Sequence, residues 1–351
     1  MLNFKNIFGC SLAPSTNSFA FQNINTLDIY LRENLQTVFS LRPDGLQARV
    51  TKKAGTAHFS KITVLNSGDT ISEFDVENLS HECILGANSP RYYSPNYDYS
   101  KLDTNILYIS SKEVSDTAIS PEGNLIDNVI IECDIQGNVL WRWSSYEHFK
   151  DFNFDEDRIN AIKQMTIIPI FGQGNDWIHL NSVCSLGDNP WYKDGDERFH
   201  PDNLIVSSRN LSFVFIIEKS TGSIVYQLKG EDFNFKNQHY AHIIPEGLEG
   251  HGNILLFDGF AEDGKIPQIL ELNPVTRDIV VKVVENFGSM TMGSVQKLPN
   301  GEYLVCSPQQ ACAMSIKKDG TVSDKLSTYG TNPYRINWYP IDWINMFKNS
   351  L

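Results

Sequence analysis

Long apolar runs are missing from this chain. Nowhere do about 18 consecutive apolar residues occur, so no membrane-crossing helix is expected. Positive charge is also scarce: 29 Lys and Arg face 42 Asp and Glu, a formal charge of −13, and no Lys/Arg run stands out. Such an acidic surface repels phosphate backbones and anionic membranes, which excludes nucleic acid and membrane as expected partners. The cysteines are Cys10, Cys83, Cys133, Cys184, Cys306 and Cys312, and none forms a CxxC pair or a zinc-type Cys/His spacing. No metal and no cofactor are therefore expected, and Cys133 and Cys184, inside apolar strand patterns, read as buried free thiols. Helical periodicity is limited to short stretches at 145–152 and 155–163 and to a tail at 341–348. The opening MLNFKNIFGCSLAPS has too short an apolar stretch for a signal-peptide core, although Gly9-Cys10 resembles a lipoprotein cleavage site. The expected compartment is the cytoplasm, or the periplasm if a leader has been removed.

What the chain does have is β-structure. Its 20 Phe, 14 Tyr and 6 Trp suit pleated surfaces, and most of its length reads as short strands broken by Gly, Asn, Asp and Pro. Two kinds of segment recur. The first is a turn followed by an apolar run: TNILYIS from Thr104, DNLIVSS from Asp202, GNILLFD from Gly252 and NGEYLVC from Asn300. The second follows each of these as a hairpin: IIECDIQGNVLWRWS, FIIEKSTGSIVYQLKG, ILELNPVTRDIVVKVVE and AMSIKKDGTVSDKL. The later copies recur about every 50 residues, the period of a four-stranded propeller blade, with insertions at 145–175 and 185–200. FSLRPDGLQARVTK and ITVLNSGDTISEFDVEN add two less regular hairpins upstream. The expected fold is all-β, a single β-propeller over residues 1–351 of six four-stranded blades with short helical insertions. Residues 1–100 hold the early blades, 101–335 the clear repeats and 336–351 a C-terminal tail. A non-repeating pair of β-sandwiches is the alternative.

The segments CDIQGNVLWRWS, NDWIHLNSV, LIVSSRNLSFVFIIEKSTGSIVYQL, FKNQHYAH and GNILLFDG, in this order over residues 125–305, resemble the arylsulfotransferase family, whose members do not use a nucleotide sulfate donor. The resemblance implies a six-bladed propeller with its site at the central channel. There a sulfuryl group passes from a phenolic sulfate ester to another phenol through a sulfated histidine. It also implies that His179 in DWIHLNS and His239 in NQHYAH are sulfate-binding or catalytic histidines, and that Arg209 in SSRN lies near the pocket. Lys265, in FDGFAEDGKIPQ, is the basic residue nearest to where the family carries an arginine. The family's nucleophilic histidine lies in a later blade, yet this chain has no histidine after His251, and 289–315 offers Ser294, Cys306, Ser307 and Cys312 instead.

His179 and His239 are thus the expected catalytic residues, with Trp177, Asn181, Arg209 and Lys265 as substrate-binding candidates. Trp177 and Asn181 flank His179 at a spacing of two, which on a strand places them on one face. His242, three residues from His239, falls on the opposite face, against a two-histidine metal site. His81 reads as a packing or surface residue, His251 as exposed in a turn, Trp141 and Trp143 as blade packing, and the acidic loops 151–157 and 194–197 as solvated. The tyrosine-rich loop 89–100 reads as packed on the propeller rim, with a lid over a phenolic substrate as the sharper alternative. The expected substrate is a small aromatic or organic molecule. Two other functions stay open: a lyase, cyclase or isomerase on the same scaffold, and a propeller that binds without catalysing.

Overall fold

A computed structural model describes residues 8–12, 19–23, 28–32, 36–42, 44–52, 58–66, 69–121, 123–165, 174–259, 266–285, 287, 292–327 and 333–339, with backbone alone at 8–41, 52, 327 and 333. The repeat seen in the sequence becomes a repeated antiparallel sheet. β12 (Leu180–Ser185), β13 (Leu204–Ser208), β14 (Phe213–Ile217) and β15 (Ile224–Lys229) pair in chain order. So do β16 (Gln238–Ile243), β17 (Ile254–Asp258), β18 (Gln268–Leu272) and β19 (Ile279–Val284). The third copy is β20 (Ser294–Lys297), β21 (Tyr303–Ser307), β22 (Cys312–Ile316) and β23 (Val322–Ser327).

Burial falls from the first strand of each sheet to the last. Every residue of β12 and β16 is buried, whereas β19 exposes Ile279, Val280 and Val284. The middle strands are apolar runs rather than alternating patterns because both of their faces are covered. Along β17, Ile254 and Leu256 pack with Val214 and Ile216 of the preceding sheet, while Leu255 and Phe257 pack with Val295 and Val305 of the following one. Truncating one such side chain to Ala removes contacts on a face with no room to relax, at a typical cost of about 3 kcal/mol or more. Four outer hairpins turn through a left-handed residue: Gly137, Gly222, Arg277 and Gly320. Glycine adopts that conformation without strain, and Arg277 is the exception among them.

Upstream, β4 (Gln36–Leu41), β5 (Leu46–Lys52) and β6 (Phe59–Asn66) lead into β7 (Asp69–Leu85), a strand of 17 residues. Its first half pairs with β6 and its second half with β8 (Ile106–Val114), followed by β9 (Asn124–Cys133) and β10 (Val139–Ser144), with the two-residue β11 (Gly174–Asn175) parallel to β9. The last sheet joins the two ends of the described chain. β24 (Pro333–Trp338) pairs with β1 (Phe8–Leu12), which continues through β2 (Phe19–Asn23) to β3 (Asp28–Arg32). The well-buried leading strands meet in the order β7, β12, β16, β20, β24, and β1 then meets β4. Four-stranded meanders arranged in a ring around their first strands make this a β-propeller. Of the expected helices, 155–163 forms α1 (Glu156–Lys163), capped by Asp155, and 145–152 keeps only a 3-10 turn at Phe149–Phe152. The tail 341–348 lies outside the described residues.

Candidate active site at the propeller axis

The innermost strands do not start as regular strands. His81, His179 and Tyr240 hold positive φ angles of 60, 46 and 58°. The pairing register slips between Ser80 and Cys83, between Leu180 and Ser182, and between His239 and His242. Non-glycine residues seldom adopt this conformation, and bulges re-aim side chains out of the pleat. Here they turn side chains from successive sheets toward the axis.

Four rings gather there. His81 packs edge-on against His179 with centroids 4.7 Å apart, and Tyr334 of β24 lies 6.0 Å from His81 and 6.5 Å from His239. The Nδ1 of His179 lies 2.5 Å from the Asp176 carboxylate, and the Nδ1 of His239 lies 2.9 Å from the Asn237 carbonyl. Each acceptor fixes Nδ1 as the protonated nitrogen, which makes Nε2 the basic one. Burial, then Arg209 and His179, drive the His239 pKa down to about 3, and burial with His179 and His239 holds His81 well below its ordinary value. Both rings are neutral at neutral pH. Burial lowers the pKa of the half-buried Arg209 guanidinium, while Asp176 and Tyr334 act the other way. The same neighbours place this cation beside the cluster.

The motif residues act as a clamp. In SSRN, Ser208 donates to the Ile178 carbonyl (2.5 Å), the Arg209 backbone N–H to the His179 carbonyl (3.0 Å), and the Asn210 amide to the Asp176 carbonyl (2.5 Å). Three consecutive residues, Ser208 at the end of β13 and the two that follow it, therefore hold the strained turn that carries Asp176 and His179. Next door, the Gln238 side chain donates to the carbonyls of Ser208 (2.9 Å) and Phe213 (2.8 Å), which ties the start of β16 to the same clamp. From the other side, the Leu180 N–H donates to Asn128 on β9 at 2.7 Å.

Below the rings lies a buried charged layer. Glu82 accepts from Arg335 at 2.7 Å and from Arg91 at 2.5 Å, with all three side chains almost wholly covered. Burial opposes ionisation of Glu82, but Arg335 and Arg91 outweigh it and hold its pKa below the usual value. Both guanidiniums sit over the Tyr240 ring, at 4.1 and 4.4 Å, and Tyr240 donates to Asn337 at 2.6 Å. Removing one partner from a buried pair of this kind costs about 3–5 kcal/mol, because the remaining charge is stranded. Arg91 reaches Glu82 on β7, the Val183 carbonyl on β12 and Tyr240 on β16. Tyr92 beside it bonds His242 of β16 (3.1 Å) and accepts from the Lys297 N–H of β20 (3.0 Å). Side chains that touch the leading strands of several sheets at once can only lie on the axis. The tyrosine-rich loop is thus packed, as expected, but it plugs the axis with Arg91 and Tyr92 instead of lying on the rim.

His179, His239 and Arg209 come together as candidates. Trp177 does not: it is wholly buried among Phe149, Phe152 and Phe154, away from the histidine rings. Asn181 is wholly buried too, donating to the Gln238 carbonyl at 2.8 Å. The expected shared face fails because His179 precedes the strand with a positive φ and a register slip follows, so the spacing-of-two rule does not apply. Lys265 lies outside the described residues. His81, read as a packing or surface residue, is a full member of the cluster. Asp176, Tyr334, Arg335, Glu82 and Arg91 were not singled out. Asp176 was the most readable of these, as the only carboxylate within the DWIH motif. His242 is buried away from the cluster, bonded to the Tyr240 carbonyl at 2.7 Å, and burial takes its pKa down to about 3. Among the described residues, no group of three or more His, Cys, Asp or Glu is arranged to hold a metal ion.

Comparison with solved structures finds a protein of unknown function from Bacteroides caccae. It is 15% identical, has a TM-score of 0.53, and the match covers 95% of this chain and 98% of that one, a likeness of fold alone. A β-propeller domain from Myceliophteria thermophila follows at 10% identity and TM-score 0.47, covering 94% of this chain and 88% of that one. No curated protein matches the sequence. The family profile described as Arylsulfotransferase (ASST) matches residues 103–326, a span that includes β12, β16 and the SSRN clamp. The chain belongs to the arylsulfotransferase family.

Proposed function

We propose that this protein transfers a sulfuryl group from a small aromatic sulfate ester to an acceptor hydroxyl at the axial cluster. The observation that carries this reading is the convergence of His81, His179, His239 and Tyr334 beside the Arg209 cation, with His179, His239 and Arg209 supplied by motifs within the family match. The chemistry follows from the parts. Arg209 offers charge to the anionic oxygens of the sulfuryl group as charge shifts to the leaving phenolate. His179 and His239 offer basic Nε2 nitrogens to the reacting group. With the two-residue β11 beside β9 left aside, the described strands sort into six groups of four when β7 is counted on both sides, and we read them as six blades of one domain.

A chromogenic aryl sulfate incubated with a phenol acceptor tests the reading. Acceptor-dependent release of the chromophore is expected, with a loss of about 10²-fold or more in His179→Ala and in His239→Ala. A folded wild-type protein with no turnover on a panel of aryl sulfates would sink it. One observation favours a second reading, a lyase, cyclase or isomerase on the same scaffold. The chain places basic histidine nitrogens at the axis but has no histidine after His251. Proton-transfer chemistry needs the former and not the latter.

A further inference from the structure

We propose that Arg91 is a positioning residue for the axial cluster: entering from the plug loop, it sets the rings of His81, His239 and Tyr334 through the residue that follows each of them. The inference deepens the sulfuryl-transfer reading above and rests on it for what the rings do.

The rings and the charged layer are joined by the chain itself. Glu82 follows His81, Tyr240 follows His239 and Arg335 follows Tyr334, and all three followers lie in the layer. Each of these pairs also sits where strand pairing slips. The slips fall between Ser80 and Cys83, between His239 and His242, and at Tyr334, where Ser11 faces Arg335 but Leu12 faces Pro333. At a slip the ladder is locally disrupted and no longer fixes the direction of a side chain, so contacts outside the ladder must do so. The layer supplies them.

Glu82, Tyr240 and Arg335 stand on β7, β16 and β24, and Arg91 is the one member of the four that comes from no strand. Its Nη2 donates to Glu82 at 2.5 Å, its Nη1 donates to the Val183 carbonyl at 3.2 Å, and its Cζ lies over the Tyr240 ring at 4.1 Å. Val183 belongs to β12, just beyond the slip that follows His179. One guanidinium thus spans β7, β12 and β16, the three strands whose slips aim histidines at the axis. A planar fork can meet a carboxylate, a carbonyl and a ring face together, whereas a lysine ammonium on its flexible stem is a point charge. The side chain is 2% exposed, so water does not compete for these contacts. The loop that delivers it is pinned on both sides. Ser185 of β12 donates to the Ser89 carbonyl at 3.3 Å, and Ser94 donates to the Glu246 carbonyl at 2.6 Å.

The test compares the full-length wild type with Arg91→Met and Arg91→Lys. Methionine removes the fork and leaves Glu82 its bond to Arg335; lysine keeps the charge without the fork. Nitrogen NMR of labelled imidazoles reads the rings directly. In Arg91→Met the signals of His81 and His239 are expected to move together, while that of His148, which stacks on Trp143 outside the cluster, stays. With a chromogenic aryl sulfate and a phenol acceptor, kcat should fall about 10²-fold with KM changed less than about threefold, since misplaced reacting groups cost rate more than affinity. Arg91→Lys should show the same two changes in smaller measure. Unmoved His81 and His239 signals in a folded Arg91→Met would reduce Arg91 to a structural role and overturn the proposal. So would full turnover, or a loss confined to KM. If Arg91→Met does not fold, Arg91→Lys decides by the same signs. If the wild type turns over no aryl sulfate, the functional reading fails by that result, and the ring signals still decide on Arg91.

Discussion

At the scale of single residues, the axis stores histidines in their neutral form. The pKa values of His239 and His242 lie near 3, chiefly through burial, against an ordinary value of 6.5. The unfolded chain binds protons at these sites below about pH 6.5, while the folded chain does not until about pH 3. Stability is thus fully present above the unfolded value and is lost as the pH falls toward the folded one. Each such histidine steepens the loss by about 1.4 kcal/mol per pH unit within that window. His242→Gln, which removes one titrating ring away from the cluster, is expected to flatten the slope by about that amount between pH 6 and 4. Denaturant titrations across that range check it, and an unchanged slope would show that His242 does not titrate between the two states. Asp176 illustrates why residue-level reading stopped short. On a regular strand, residues 176 and 179 face opposite ways; here a bend over 177–178 and the positive φ of His179 accompany the contact between the carboxylate and the imidazole.

At the scale of elements, the second strands and outer hairpins were plain in the sequence. β8, β13, β17 and β21 are the four apolar runs, and β9–β10, β14–β15, β18–β19 and β22–β23 are the four hairpins. The innermost strands were not read as part of the repeat. SHEC, LNSVCS, QHYAHI and SVQK are buried but for the half-buried His81, yet rich in polar side chains, several of which find partners on neighbouring sheets, as Asn181 does at Gln238 and Gln296 at Trp338. Hydrophobic periodicity is blind to burial satisfied in that way. The clamp after β13 makes a prediction at this scale. Ser208→Ala leaves the Ile178 carbonyl without that bond in a buried place, so it should cost about 1–3 kcal/mol in unfolding free energy. It should also lower turnover more than it changes substrate affinity, because it loosens the turn that aims His179. Parallel denaturation and steady-state kinetics measure both, and a fully stable variant would show that the clamp is redundant.

At the scale of the molecule, the ring is closed by pairing between β24 and β1, strands from opposite ends of the described chain. Removing residues 1–12 takes away the partner of the strand that carries Tyr334 and Arg335 and bares its edge. The truncated protein should melt lower by on the order of 10 °C and should self-associate as concentration rises. Calorimetry and size-exclusion chromatography report the two effects, and an unshifted, non-associating variant would mean that β1 is dispensable for closure.

The plug formed by Arg91 and Tyr92 has a consequence for traffic. A ring stoppered by its own chain is a cup and not a tube. On the proposed reaction, donor and acceptor would arrive through one mouth, and the spent phenol would leave past the newly made ester. The order in which they come and go is then set by crowding at that mouth as much as by chemistry at its base.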